Sequence, residues 1–379
     1  MIYSLFASLK AFPRALLRLV LKACKVDPLT KKETEAFLEN YQVANSPVRE
    51  VFIPGVQNQG ELTKLIFPPV RAVTHQSFVW SYEPGTKKAV QLPYGGILTD
   101  GKLLCLDFES YHLARNWRGF GKRIGLRYET VIAPFSHYLD VVFFGGYYDF
   151  VILVAAKLSR IKAALPEPVF DLAALSYPLF KTTYEQEYLD LIGVKPDHIF
   201  DSVVHDIRFD RCILANSGHW FYPDPADIFA LKELVEAKLM IKRTNQHRIY
   251  VSRSTRRKVV NEAALIKLLE KYDFIIIEDK PRSVAEQVAI YKNASFIMGP
   301  HGASFTNIIW CEPGTHLFEL FPANMIVDHF AYLAQVMDMR YSAYSHVIKM
   351  GQTKHHIEED VFVSIADLEK SLDVLFVQV

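Results

Sequence analysis

With 379 residues, half of them hydrophobic and 13% aromatic, the chain is long for one core and rich enough in apolar residues for two. Its 43 basic and 42 acidic residues leave a formal charge of +1, which argues against a dedicated nucleic-acid binder and against extensive disorder. Cys24, Cys105, Cys212 and Cys311 form no C-x-x-C pair, so they read as small buried side chains in a reducing, cytoplasmic setting.

Residues 1–44 are expected to form a basic amphipathic helical segment. Lys10, Arg14, Arg18, Lys22 and Lys25 recur at spacings of three and four, which on a helix gathers the charges and leaves Leu16, Leu17, Leu19, Val20 and Leu21 largely elsewhere. Charge interrupts the stretch too often for a bilayer span or a secretory leader. Two surfaces fit such a helix: the anionic inner face of a cell membrane, touched through residues 1–25, or the body of the protein itself.

Residues 45–215 read as a first α/β domain. GGILTDGKLLCLD predicts a hairpin turning at Asp100-Gly101. Residues 130–135 and 140–146 are candidate buried strands, and a helix is expected from Asp149 to Ala164. YEQEYLDLIG predicts a helix stopped by Gly193. Residues 216–246 hold a connecting helix starting near Pro225 behind an Asp224 cap. From 247 to 350 strand and helix alternate four times with short connections: HRIYVSRS, NEAALIKLLEKY capped by Asn261, DFIIIEDK, SVAEQVAIYKNA with Ser283 and Glu286 at capping-box spacing, SFIMG, HGASFTNIIW, HLFELF, DHFAYLAQVMD and MRYSAYSHV. That alternation predicts a parallel, helix-covered sheet. Residues 351–379 supply a loop and a last helix.

Ligands of such sheets lie at the carboxyl ends of the strands, and three groups fall there. Ser252 and Arg253, with Arg257 beyond, offer guanidinium forks suited to diphosphate oxygens. Glu278 follows the second strand, where a carboxylate can accept from ribose hydroxyls. The Pro300-His301-Gly302 turn leads into Ala303, Ser304 and Asn307, a helix start whose N–H groups suit phosphate. His301 is the candidate donor to a phosphate or a leaving-group oxygen, and Glu319 is a further candidate on the following strand.

These residues carry a resemblance. Ser252-Arg253, Arg257 ahead of Asn261-Glu262, Glu286-Gln287, Gly299 through Asn307, Pro313-Gly314-Thr315 and Glu319 resemble, in order and spacing, the C-terminal half of glycosyltransferase family 61. One departure stands in the first domain. Family members often start a helix with an Asn-Tyr-Tyr-His-Trp-type run, and this chain has Gly146-Tyr147-Tyr148-Asp149-Phe150, with Leu153 and Lys157 at the later family positions.

The resemblance implies a GT-B-like fold, two Rossmann-like domains facing across a cleft. It implies an inverting transferase that binds a nucleotide-sugar donor, UDP-linked by expectation, and a glycan or lipid-linked saccharide acceptor in bacterial surface polysaccharide synthesis. Without a convincing Asp-x-Asp pair, Arg253, Arg257 and the helix start would supply the positive potential, with no metal and no cofactor. Asp149 is the candidate base, with His137 and Glu109 in reserve. Kdo, phosphate or pyruvate transfer on the same fold, or a catalytically silent glycan- or nucleotide-binding protein, are the alternatives. No G-x-S-x-G elbow, P-loop or zinc-ligand spacing is present.

Overall fold

The structure is a computed structural model and describes residues 25–60, 64–68, 71–93, 95–106, 123–134, 146–346 and 359–377, with Leu19 and Ala23. Most of residues 1–24, the strand at 140–146 (but for Gly146), His137 and Glu109 lie outside the described residues; the rest of the expected N-terminal helical segment is α-helical only at Lys31–Leu38 and enters strands at Asp27–Pro28 and Gln42–Asn45. No helix among those described is long and apolar enough to cross a membrane.

The chain forms two compact units, and their boundaries correct the sequence expectation. One comprises residues 1–48 and 76–235, the other 49–75 and 236–379. Segment 49–75 therefore leaves the first domain. It is stitched to the second unit, where Asn58 exchanges two side-chain hydrogen bonds with the Ser345 backbone and the buried Tyr332 hydroxyl meets His75 at 2.7 Å. The connecting helix forms where expected, at Pro225–Leu239, with Asp224 accepting from the Ala226 N–H at 2.8 Å, and the boundary between the units falls inside it.

The first unit is built on six strands: β1 (Gln42–Asn45), β2 (Phe78–Tyr82), β3 (Ile124–Ile132), β4 (Ala174–Tyr177), β5 (Ile199–Asp201) and β6 (His205–Ala215). They lie in the order β5-β4-β3-β6-β2-β1. The first four pair in parallel, and β2 and β1 close the edge antiparallel. Trp80, Tyr82, Val131, Phe209 and Leu214 lead its core. The Asp100-Gly101 hairpin forms as expected, with both residues at positive φ. Gly193 ends its helix in the left-handed conformation at φ +86°.

The helix expected from Asp149 starts two residues earlier, at Tyr147, and runs to Ala164 with a π-helical stretch at Phe150–Ala155. Arg160 on this helix is buried. It donates to Asp227 at 2.6 Å, to the Phe78 carbonyl at 3.0 Å and to the Asn216 carbonyl at 2.6 Å. One guanidinium thus fixes the helix to two strand ends and to the start of the next helix.

The second unit is a five-stranded, wholly parallel sheet of β7 (His247–Val251), β8 (Phe274–Ile277), β9 (Ala294–Pro300), β10 (His316–Phe321) and β11 (Arg340–Ser345). Their order is β8-β7-β9-β10-β11, the doubly-wound arrangement whose direction reverses between β7 and β9. Tyr250, Met298, Phe318, Leu320 and Tyr344 fill one face together with helices α1 (Glu262–Glu270) and α2 (Ile365–Val377). Ser283 and Glu286 close their capping box. Asn261 does not cap α1: its amide pairs with the Val363 backbone in both directions, and this holds the C-terminal segment in place.

Replacing Arg160 with Ala is expected to destabilise the first unit by about 3–5 kcal/mol, the scale for a buried ion pair stripped of one partner. Urea unfolding monitored on that unit would measure it. A loss under about 1 kcal/mol, the surface-pair scale, would show that the contact is not structural.

Candidate functional site: an unneutralised arginine pair at the switch point of the parallel sheet

The second sheet reverses direction between β7 and β9, so the chain leaving β7 and the chain leaving β9 diverge and open a crevice at their carboxyl ends. The two segments that flank it are Ser252–Arg257 and His301–Ser304. Ser252 hydrogen-bonds through Oγ to Glu262 at 2.8 Å, and Tyr250 donates to the same carboxylate oxygen at 2.8 Å. Glu262 thereby anchors the first turn of the arginine loop to α1.

Arg253 reaches across the crevice and donates from Nη1 to the His301 carbonyl at 2.9 Å. Its guanidinium lies where a side chain on residue 302 would be: a Cβ built on Gly302 would come within 1.4 Å of Nη1. A side chain at 302 would thus displace the flexible end of Arg253, while the φ of 171° is ordinary extended geometry. Gly299 is held to glycine more strictly, its hypothetical Cβ meeting the Val251 backbone carbonyl at 2.7 Å.

Arg257 is buried and stands at φ +58°, a conformation that costs a non-glycine residue about 1–3 kcal/mol. Its Nη1 touches Met325 Sδ at 3.9 Å, and its Nε has no hydrogen-bond partner among the described residues. Neither arginine has a carboxylate at ion-pairing distance among those residues. Burial, the other arginine and Arg256 push the Arg257 guanidinium down to about 10. Burial also lowers Arg253, with Arg256 adding to it. Two enclosed cations with no direct ion pair, Asp279 acting on Arg253 and Glu319 on Arg257 only at longer range, make a site that an anion would help to neutralise.

The turn after β9 enters a 3₁₀ helix, Ala303–Trp310, tighter than the α-helix expected. Phe305 donates to the Gly302 carbonyl at 2.9 Å, while Ala303 and Ser304 start the helix with no backbone acceptor for their N–H groups among the described residues. Asn307 is buried inside this turn. Its amide nitrogen donates to Gln287 at 2.7 Å and to the Ser304 carbonyl at 3.2 Å, and its oxygen accepts from Trp310. It shapes the turn from within.

His301 is buried to the same degree, 2% exposed. Its ring stacks on Phe321 at 5.3 Å and meets His329 edge-on at 4.9 Å, and Nδ1 bonds Glu319 Oε1. Tyr341 donates to the other oxygen of Glu319 at 2.6 Å. The His301 ring therefore stands behind the crevice, and its carbonyl is what holds Arg253. Burial pushes Glu319 up to about 8 and His301 well below the ordinary imidazole value, with Arg257 and Arg253 adding to the depression. Burial thus disfavours charge on both members of the pair.

Glu278 stands apart from this group. Its side chain is 72% exposed and pairs with Lys280 at 3.2 Å. The neighbouring Asp279 is the carboxylate that reaches the arginine loop, accepting from the Ser254 N–H at 2.9 Å and hydroxyl at 2.8 Å. Tyr341 and His329 carry no motif, and the parallel register that sets β11 beside β10 is what brings Tyr341 to Glu319.

Asp149 lies in the first unit, buried at the helix start. It accepts from the Gly146 N–H at 3.0 Å and from Trp220 Nε1 at 2.7 Å. Among the described residues no group of three or more His, Cys, Asp or Glu side chains could hold a metal ion.

A parallel sheet with cations at its switch point and a second α/β unit beside it in the chain is the equipment of a glycosyltransferase, and comparison with known families agrees. The family model Glycosyltransferase 61 matches residues 96–318, more than half of the chain, and the chain belongs to that family. The match stops one residue short of Glu319. A comparison with curated proteins found no match.

Two measurements test this geometry. In Gly302→Ala the new methyl group must expel the Arg253 guanidinium, so anion affinity should fall by about tenfold or more, the scale of one charge-assisted contact, with the melting temperature nearly unchanged; calorimetry with UDP and a thermal melt together decide it. The second concerns pH. Glu319 is protonated in the folded state up to about 8 and only to 4.5 when unfolded, so its burial favours folding below 4.5 and that contribution is lost as pH rises through about 8. His301 and His329 are depressed from 6.5, so their contribution is present above 6.5 and lost below it. Stability of the second unit should therefore rise from pH 8 towards 6.5 and decline beneath it. In Glu319→Gln the rise, about 1.4 kcal/mol per pH unit for one proton, should vanish; an unchanged slope would refute the assignment.

Proposed function

We propose that this glycosyltransferase is an inverting, metal-independent enzyme. It moves a sugar from a nucleotide-sugar donor, UDP-linked, to a glycan or lipid-linked saccharide acceptor in bacterial surface polysaccharide synthesis. The observation that carries the reading is the Arg253–Arg257 pair at the sheet's switch point, neither member in a direct ion pair among the described residues.

Breaking the bond between sugar and nucleotide diphosphate leaves negative charge on the departing phosphate oxygens. Preorganised cations and N–H donors at that place lower the barrier because they need no rearrangement as the charge develops. Arg253, Arg257 and the N–H groups at Ala303 and Ser304 are the donors available, and two guanidinium charges can do the work that a divalent cation does elsewhere. Ser252 shapes the arginine loop and Asp279, with Glu278 beside it, offers a carboxylate to ribose hydroxyls. His301 and Glu319 act in this reading by fixing the carbonyl that aims Arg253. Inversion by direct displacement also needs a proton acceptor for the attacking hydroxyl. Asp149, at the helix start of the first unit, takes that role. The GT-B organisation belongs to the same proposal and is supported by two units each built on a largely parallel sheet. So does a setting in the cytoplasm at the inner membrane face, supported by the basic spacing of residues 1–25.

Calorimetric titration of UDP, GDP and CMP, with and without EDTA, tests the donor site. UDP is expected to bind in either condition, and Arg253→Ala to weaken it by about 1.5–3 kcal/mol. Equal affinity in the variant would remove Arg253 from the site, and loss of binding in EDTA would overturn the metal-independent mechanism. Asp149→Asn should lower the rate of sugar transfer by about 10²–10⁴ with UDP affinity preserved; a fully active variant would end its role as base.

A further inference from the structure

Arg257 lies between two pieces of chain that one short strap holds. The strap, residues 359–364, leads into α2 and carries the period-two alternation of an extended strand, with 359, 361 and 363 buried and 360, 362 and 364 half-buried. Val361 and Val363 anchor it in the core of the second unit, and the Ser364 N–H donates to the Tyr344 hydroxyl on β11 at 2.8 Å. From there it reaches two places. On one side it grips the residue after Arg257. The Lys258 N–H donates to Asp360 Oδ1 at 3.1 Å, and the Lys258 carbonyl accepts from the Val361 N–H at 2.9 Å. Val260 donates in turn to the Val361 carbonyl at 2.9 Å, and Val259 and Val361 are bridged in parallel. On the other side Glu359, 2% exposed, accepts from the Asn324 N–H at 3.2 Å and from its Nδ2 at 3.0 Å. Asn324 precedes Met325, whose Sδ lies against Arg257 Nη1.

We infer that Glu359 and Asp360 are positioning residues of the arginine site, setting where the Arg257 guanidinium stands by holding the chain on either side of it. The Lys258 N–H shares a rigid peptide plane with the Arg257 carbonyl. Tying that N–H to Asp360 therefore fixes the ψ of Arg257. This matters at a residue with φ +58°, because such a conformation persists only where its surroundings impose it. Glu359 does the same for the opposite wall: bonds to both backbone and side chain hold the exposed Asn324, and Met325 with it. A binding constellation has to be kept within about 0.5 Å of its working geometry, so two such anchors on one strap bear directly on anion affinity. Their role is geometric. The oxygens accept from N–H groups, so an amide in the same place should serve as well as a carboxylate. The inference rests on the donor-site reading for its ligand, whereas the placing of the guanidinium can be read with no ligand present.

The test uses the full chain labelled with ¹⁵N-arginine, the Arg257 Nε–Hε signal being assigned by its absence in Arg257→Lys. UDP is titrated by calorimetry, and a thermal melt is taken for each variant. In Asp360→Ala the Arg257 signal should shift without ligand, and UDP affinity should fall about three- to tenfold, the scale of one hydrogen bond. Asp360→Asn, which keeps an acceptor oxygen, should restore both. Glu359→Ala and Glu359→Gln form the matching pair for the opposite wall and carry the test if the Asp360→Ala chain fails to fold. A lower melting temperature with the Arg257 signal and UDP affinity unmoved would make the strap a brace only and overturn the inference. Amide variants that behave like the alanine ones would overturn it too, since charge and not geometry would then be at work. If the unmodified chain binds no UDP while the Arg257 signal still moves, the donor reading fails and the strap's hold on Arg257 stands.

Discussion

The second unit is organised around a single contact: the Arg253 guanidinium occupies the volume that a side chain at residue 302 would fill. It ties the chain leaving β7 to the chain leaving β9 across the place where the sheet changes direction. Several other features follow from it. Only glycine at 302 leaves Arg253 its place, the His301 carbonyl accepts from that guanidinium, and something must fix His301 so that it does. Glu319 and Tyr341 do that from inside the sheet. A cation held by a neutral carbonyl is offset only at longer range, by Asp279, and Arg257 beside it adds a second positive charge. The fold thus carries electrostatic cost at one point, as expected of a site shaped for an anion rather than for stability alone.

The parallel sheet was legible because strand and helix alternate with short connections from residue 247 onward, and five parallel strands are what form. The glycine turn was legible for its composition, but not for its reason: nothing in Gly299-Pro300-His301-Gly302 announces that an arginine almost fifty residues earlier needs the space. His301 and Asn307 read as ligand contacts because polar residues at a sheet edge usually are. Their burial, 2% exposed each, is a tertiary property that sequence does not show. Asn261 shows the same limit at a smaller scale. Its position before a helix has the right residue type for a cap, and a distant backbone at Val363 captures the side chain first. Glu278 and Asp279 could not be separated by sequence, since one residue of strand phase decides which faces the arginine loop. Tyr341 left no trace at all, because register between β10 and β11 is what delivers it.

In the first unit a comparable arrangement lies beneath the carboxyl edge. Arg160 gathers Asp227 and two strand-end carbonyls, and burial raises Asp227 to about 6 despite that partner. Above it Asp149 closes the helix start and holds Trp220. The two charged side chains work at different depths, one fixing the scaffold and the other its rim.

Segment 49–75 enters the second unit before most of the first has been synthesised, and the chain then returns to complete what it left. Its partners, Tyr332 and Ser345, come late in the sequence. Pairings of such long separation form slowly, so during synthesis this stretch, with Phe52 and Leu65 both well exposed even in the finished fold, must wait without its edge strand. The units are therefore distinct in space but not in sequence. No single cut separates them intact, and the smallest contiguous piece of chain that holds a whole second unit also contains residues 76–235 of the first.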